Sequence, residues 1–300
     1  MELGFVSAVL GDQDLDQVLK IGKDTGYDCV EVMCWPKDRF TGVTHLDVPF
    51  LTDADADEVR GKFKSMGLSM SALGYYPNPL SPDPEEAIVA SEHMQHVIAA
   101  APKMGLKTIN TFIGRDPRAS EEENWVRFKN VWEPLVKLAE DSGVRIGIEN
   151  CPMFFCEHDR PCGRNLATSP AIWRRMFETI ESDAFGLNYD PSHLVWLHID
   201  YLKPLQEFAS KLFHVHAKDA LVLEDKLNDL GILALPPELH DAKLPGLGQV
   251  DWAEFLRALS AAGYDGPVCV EVEDRDFEGE LPRRIEALRK SSEFLRPLMS

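Results

Sequence analysis

Eight short apolar runs recur along the whole chain, each separated from the next by an amphipathic stretch. The runs expected as strands are Leu3–Val9, Cys29–Cys34, Met70–Leu73, Thr108–Ile113, Arg145–Glu149, Phe185–Tyr189, Leu212–His216 and Val268–Val272. Several, such as VRIGIE and VCVEV, are nearly continuous apolar stretches, as a parallel sheet covered on both faces requires. The intervening stretches carry helix-start signals. Asp83 precedes Pro84, with Glu86 three residues after the cap; Ser120 pairs with Glu123, Ser169 precedes Pro170, and Asp251 pairs with Glu254. Pro134 is expected to break the helix before the fifth strand into two pieces.

Eight strand–helix units in series predict an α/β fold, a single (β/α)8 TIM barrel domain over residues 1–300 with parallel strands. No glycine-rich phosphate loop follows the first strand, which argues against a dinucleotide-binding open sheet. The longest irregular segments, Pro36–Asp53, Cys151–Ser169 and Ala217–Gln249, all begin at strand C-termini, where a barrel builds its active site.

The formal net charge of -19 disfavours nucleic acid and anionic membranes as partners. Six cysteines are too few for a disulfide scaffold, and the N-terminus lacks a basic region and a cleavage site. A cytoplasmic protein with reduced thiols is the expectation.

Polar residues end many of the strands: Glu31, Tyr75 and Tyr76, Asn110, Glu149 and Asn150, Asn188 and Asp190, His214 and His216, Glu271 and Glu273. At a barrel rim they converge on one cavity, so one histidine and three carboxylates from strands five to eight could surround a single ion. Any one of these carboxylates could instead cap a helix or pair with a base. Burying three together without a cation would cost several kcal/mol per charge, which favours the ion. Oxygen-rich ligation with one imidazole suits Mn²⁺ best, with Mg²⁺, Co²⁺ or Zn²⁺ as alternatives. In NYDPSHLVW, the turn at Pro191 can aim Asp190 and His193 into one pocket; the plainer role for Asp190 is a helix cap.

The runs IGIEN, NYDPSH, HVHAKD, LPGLGQVDW and GYDGPVCVEVED stand in order at these strand ends. In them the chain resembles the xylose isomerase-like superfamily of sugar isomerases and epimerases. The resemblance to its ketose 3-epimerase branch implies Glu149, Asp190, His216 and Glu271 as metal ligands, with His193 touching substrate and His214 left for a supporting or substrate role. An arginine that follows the metal histidine in that branch is missing; Lys218 and Asp219 stand nearby, as in relatives similar to inosose dehydratase. Homodimers or homotetramers are a further implication.

A metal on a carbonyl and its neighbouring hydroxyl would stabilise an enediolate, with Glu149 and Glu271 exchanging the proton and His193 orienting a hydroxyl. The expected activity is therefore a metal-dependent sugar isomerase or epimerase acting on a sugar or keto-sugar. The alternative is a lyase or dehydratase on a keto-sugar, keto-glycoside or inosose. Further substrate contacts are expected from Lys218, Glu31, Tyr75, Asn110, Trp35 and His45, and Tyr76, Phe112 and Trp196 could add aromatic wall. For Lys218 the competing role is an ordinary surface lysine. Cys151, Cys156, His158 and Cys162 lie close together, but without a paired CxxC spacing they make a poor zinc site. A three-zinc DNA-repair enzyme of the same superfamily would need histidines on strands three and four, where Tyr75 and Asn110 stand. A sugar-binding protein without catalysis would not need both Glu149 and Glu271.

Overall fold

The computed structural model describes residues 1–37, 42–154 and 163–299. Ten strands are present among them: β1 Glu2–Val6, β2 Cys29–Met33, β3 Ser69–Gly74, β4 Thr108–Thr111, β5 Arg145–Glu149, β6 Phe185–Tyr189, β7 Leu212–Ala217, β8 Asp219–Val222, β9 His240–Lys243 and β10 Pro267–Val270. Eight of them close into a barrel in the order β1, β10, β7, β6, β5, β4, β3, β2, all pairs parallel. This is the (β/α)8 TIM barrel that the alternating pattern predicts. No helix among the described residues is long and apolar enough to cross a membrane.

The two-residue period of the strands sorts their side chains into two cores. Leu3, Phe5, Val30, Val32, Ile146, Ile148, Val268 and Val270 face outward and pack with the helices in one large cluster. Val6, Cys29, Met33, Tyr76, Phe112 and Cys269 form a second, smaller cluster. Parts of the barrel leave no room for a side chain. A Cβ on Gly4 would lie 2.5 Å from the sulfurs of both Cys29 and Cys269, and one on Gly147 would lie 2.6 Å from Asn110 Oδ1. Glycine at these positions makes space for polar groups inside the barrel.

The helix starts read from the sequence are present. Asp83, Ser120, Ser169 and Asp251 each accept hydrogen bonds from first-turn amides. Pro134 does not divide its helix, which runs unbroken over Glu121–Asp141. One lost backbone bond is outweighed there by burial of Trp125, Phe128, Trp132, Leu135 and Val136 on the barrel side. The first strand ends at Val6 and passes into a 3₁₀ turn over Ser7–Leu10, shorter than expected. The segment Ala217–Gln249, expected as irregular, contains an antiparallel hairpin of β8 and β9 with two short helices, Glu224–Leu230 and Pro236–Leu239. Cys156, His158 and Cys162 lie outside the described residues.

Candidate metal and substrate site

β5, β6, β7 and β10 are consecutive neighbours in the barrel, and each delivers one group to the same end. Glu149 closes β5, Asp190 and Glu271 directly follow β6 and β10, and His216 lies near the end of β7. One ligand atom from each lies within 4.8 Å of those of the other three. His216 Nδ1 is 3.6 Å from Glu149 Oε2 and 3.6 Å from Glu271 Oε2. Glu149, Asp190 and His216 are buried; the Glu271 side chain is 18% exposed and opens on a cavity.

Each group is held in place. Asp190 caps the helix Pro191–Trp196, its Oδ1 accepting from Ser192 N at 2.8 Å. The Asn150 side chain clamps the Asp190 backbone with two 2.8 Å bonds, accepting from its N–H and donating to its carbonyl. Asn165 ties down the end of β5 by donating to the carbonyls of Glu149 and Cys151. Asp190 therefore does serve as a cap, but with one oxygen only.

His216 Nε2 lies 2.8 Å from Glu31 Oε2, and the Tyr76 hydroxyl donates to the other oxygen of Glu31. A carboxylate accepting from one ring nitrogen leaves the opposite nitrogen as the ligand atom, the usual support of a metal-binding histidine. In Glu31→Gln the anionic acceptor is gone, and divalent-metal affinity is expected to fall about 10–100-fold, read by competition titration with a metallochromic chelator.

The donor set fits a divalent cation. His216 Nδ1 and Asp190 Oδ2 are buried without a hydrogen bond, and for His216 Nδ1 that is costly unless something binds there. Lys218 shares the charge of this cluster. Its ammonium lies 2.6 Å from Glu271 Oε2, 2.9 Å from Glu273 Oε2 and 3.2 Å from Asp190 Oδ2, the last without hydrogen-bond geometry. Lys218 is only 2% exposed, so it is not a surface lysine.

The electrostatics separate the two glutamates. Burial, reinforced by the Glu271 charge, pushes Glu149 up to about 8. Burial would raise Glu271 too, but Lys218 and His216 outweigh it and hold this carboxyl well below its usual range. In the metal-free protein the two carboxyls are thus driven apart, Glu149 toward its protonated form and Glu271 toward its ionised form. For His216, burial is outweighed by Glu31, Glu271 and Glu149, which keep the imidazole protonated. Burial and then Lys218 hold His193 neutral. Trp196 Nε1 donates to His193 Nδ1 at 3.3 Å, so the proton sits on Nε2, 3.4 Å from both Glu149 and Asp190 and without a hydrogen bond.

A cavity of about 450 Å³ opens over this cluster, lined by Glu149, His193, Glu271 and Glu273 together with apolar and aromatic residues. Of the expected substrate contacts, His193 and Trp35 line it, as do Tyr76, Phe112 and Trp196. Glu31 and His214 are fully buried in the barrel interior, where His214 bonds to Asn188 and Ser71. Asn110 is buried near Gly147, and neither polar atom of its side chain has a partner. Tyr75 packs against Trp35 and His93, and His45 uses both ring nitrogens on Ser7 and Leu10; neither is among the described residues that line the cavity.

Sequence reading assigned no role to Asn165, Asp219 or His240. Asn165 falls in a segment with no periodic signal. Asp219 accepts from the amides of Ala220, Gly246 and Val250 and from Trp252 Nε1, and so pins the loop PGLGQ to the barrel. His240 stacks face to face on Trp196 at 4.5 Å. Lys218 shares the parity of His214 and His216 on β7, a signal that marks it as inward-facing.

Comparison with known proteins agrees with this architecture. The chain is 25% identical to the uncharacterized protein YfiH of Bacillus subtilis (strain 168), over 97% of this chain and 99% of YfiH. It is 30% identical to the inosose dehydratase of Geobacillus thermodenitrificans (strain NG80-2), over 51% of this chain and 48% of that protein. Its fold superposes on D-psicose 3-epimerase from Clostridium cellulolyticum H10, solved with D-tagatose, with a TM-score of 0.70 at 16% identity, covering 100% of both chains. Residues 19–298 match the xylose isomerase-like TIM barrel family, and the chain belongs to that family.

Proposed function

We propose that this protein is a divalent-metal-dependent sugar isomerase or epimerase in which Glu149 and Glu271 relay a proton beside a sugar carbonyl. The observation that carries this reading is the convergence of Glu149, Asp190, His216 and Glu271, with His216 Nδ1 and Asp190 Oδ2 buried without a hydrogen bond. These four residues would hold the cation, and the mix of three carboxylates with one imidazole suits Mn²⁺ or Mg²⁺. When bound, the cation supplies Lewis-acid stabilisation of the negative charge that develops on the sugar oxygens.

The rest is the work of the chain. Glu149 and Glu271 come from opposite ends of the β5, β6, β7, β10 arc, so they can address a substrate from two sides. One removes the proton α to the carbonyl and the other returns one, through an enediolate. His193, neutral with its Nε2–H unpaired, donates to a substrate oxygen. The Lys218 ammonium is already matched by Glu271 and Glu273, so it serves charge balance rather than capture of a substrate carboxylate. Similarity to inosose dehydratase supports a second outcome, in which the same enediolate expels a β leaving group and the enzyme is a lyase.

Incubation of the manganese-loaded protein with a panel of keto-sugars in D₂O tests the proposal. The expected result is deuterium at the carbon beside the carbonyl of at least one sugar, lost on chelation and restored by metal. Retention of every oxygen identifies the isomerase or epimerase, and loss of water or of a glycosyl group identifies the lyase. Absence of exchange with every keto-sugar, metal present, contradicts the reading.

A further inference from the structure

The Lys218 ammonium sits on oxygens that a metal ion would need. Lys218 follows His216 by two residues at the end of β7 and shares its parity, while Val270 of β10 pairs with Ala217. Glu271 N continues that ladder by donating to the Ala217 carbonyl at 3.2 Å, which sets Glu271 beside Lys218. The ammonium lies 2.6 Å from Glu271 Oε2, the same oxygen that stands 3.6 Å from His216 Nδ1. It lies 3.2 Å from Asp190 Oδ2, the oxygen that the helix cap leaves without a hydrogen bond. Two of the four clustered groups thus already carry a buried cation.

Its third partner differs. Glu273 Oε2 accepts from Lys218 Nζ at 2.9 Å, but the Glu273 side chain is 54% exposed on the cavity wall and stands outside the cluster of four. The backbone is fixed on both sides of this pair. Asp219, next to Lys218, accepts four hydrogen bonds, and Asp274, next to Glu273, is fully buried and accepts from Leu244 N and Lys243 Nζ. Between these anchors the lysine has a flexible four-carbon stem.

A divalent ion and an ammonium on the same two buried oxygens repel each other much more strongly than they would in water. Lys218 must withdraw for the ion to enter, and of its three carboxylates Glu273 is the one outside the ligand set. We infer that Lys218 and Glu273 form a counterion exchange built into the site: the ammonium neutralises Asp190 and Glu271 in the metal-free protein and passes to Glu273 when the cation binds. Lys218 thereby limits how tightly the site holds metal, and Glu273 offsets that limit by receiving the ammonium. The inference rests on the metal binding in the proposed function and is independent of its sugar chemistry.

Manganese affinity, read by competition with a metallochromic chelator, tests the exchange in the unmodified protein, Lys218→Met, Glu273→Gln and the double variant, with circular dichroism confirming each fold. Lys218→Met lacks the competing charge and should bind manganese at least about tenfold more tightly. Glu273→Gln leaves the ammonium no carboxylate outside the ligand set and should bind about tenfold more weakly. In the Lys218→Met background the same Glu273 change should alter affinity by less than about twofold, because no ammonium remains to be received. A glutamate acting through its own charge alone would weaken binding equally in both backgrounds. That result overturns the exchange, as does unchanged or weaker binding in Lys218→Met. Crystals of the unmodified protein with and without manganese keep the proposal testable if a variant does not fold. In the loaded crystal Nζ should lie beyond about 4 Å from Asp190 Oδ2 and still on Glu273, and an unmoved Lys218 beside bound metal overturns the exchange. In each of these contrary outcomes manganese still binds, so the metal-dependent reading stands. Absence of manganese binding in all four proteins overturns both.

Discussion

Glu149→Gln and Glu271→Gln are each expected to lower substrate conversion by about 10³-fold, measured with whichever keto-sugar exchanges its α-proton in D₂O. Glutamine keeps the size and one oxygen acceptor of glutamate but cannot carry the proton. The cation would keep the unaltered ligands His216, Asp190 and the remaining glutamate, so metal content should fall much less than activity. The two variants are not equivalent. Glu149 is the more buried and the one pushed up to about 8 in the metal-free protein, whereas Glu271 is held ionised by Lys218 and His216. A pair of carboxyls with environments that differ in this way is suited to divide the roles of acid and base. A drop of less than tenfold in either variant, with metal retained, would remove that residue from the proton relay.

Asp219→Ala is expected to destabilise the fold by about 3–5 kcal/mol, read from urea unfolding. The carboxylate is fully buried and accepts four hydrogen bonds: from Ala220 N and Val250 N on Oδ1 at 2.9 Å, and from Gly246 N and Trp252 Nε1 on Oδ2 at 3.0 Å. Removing it strands those donors in the interior. The loop is packed tightly on this carboxylate: a Cβ on Gly248 would lie 2.3 Å from Asp219 Oδ1, and Gly246 has a φ of +88°. The loss should reach the site as well, since Asp219 adjoins Lys218 and its loop leads into the helix Trp252–Ala261. A change below about 1 kcal/mol would show that the loop is held by something other than this carboxylate.

The barrel was legible because its strands are short apolar runs and its helices carry caps. Both signals are local, and both depend on the order of neighbouring residues alone. The site was legible to the extent that strand ends in a parallel barrel share one rim: Glu149, Asp190, His216 and Glu271 do meet. Depth was not legible. Glu31, His214 and Asn110 also end strands or point inward, yet they are buried in the barrel interior and line no part of the cavity, because register between distant strands sets the height of each side chain. Tyr75 and Tyr76 are adjacent, and the pleat sends one to each side, so that Tyr76 lines the cavity while Tyr75 packs against His93. The β8–β9 excursion was not legible either: DALV and HDAK show no alternation of apolar and polar residues, and they pair only because the fold brings them together. His240 and Pro236 reach the cavity mouth through that pairing.

The central claim is that a divalent cation belongs among four side chains that the Lys218 ammonium now partly neutralises. Crystals grown with manganese and measured at a wavelength where the metal scatters anomalously test it most directly. The account predicts one strong anomalous peak, about 2.2 Å from His216 Nδ1 and from oxygens of Glu149, Asp190 and Glu271, with the ammonium drawn back toward Glu273. No peak at saturating manganese, with Lys218 still bridging Asp190 and Glu271, would contradict it.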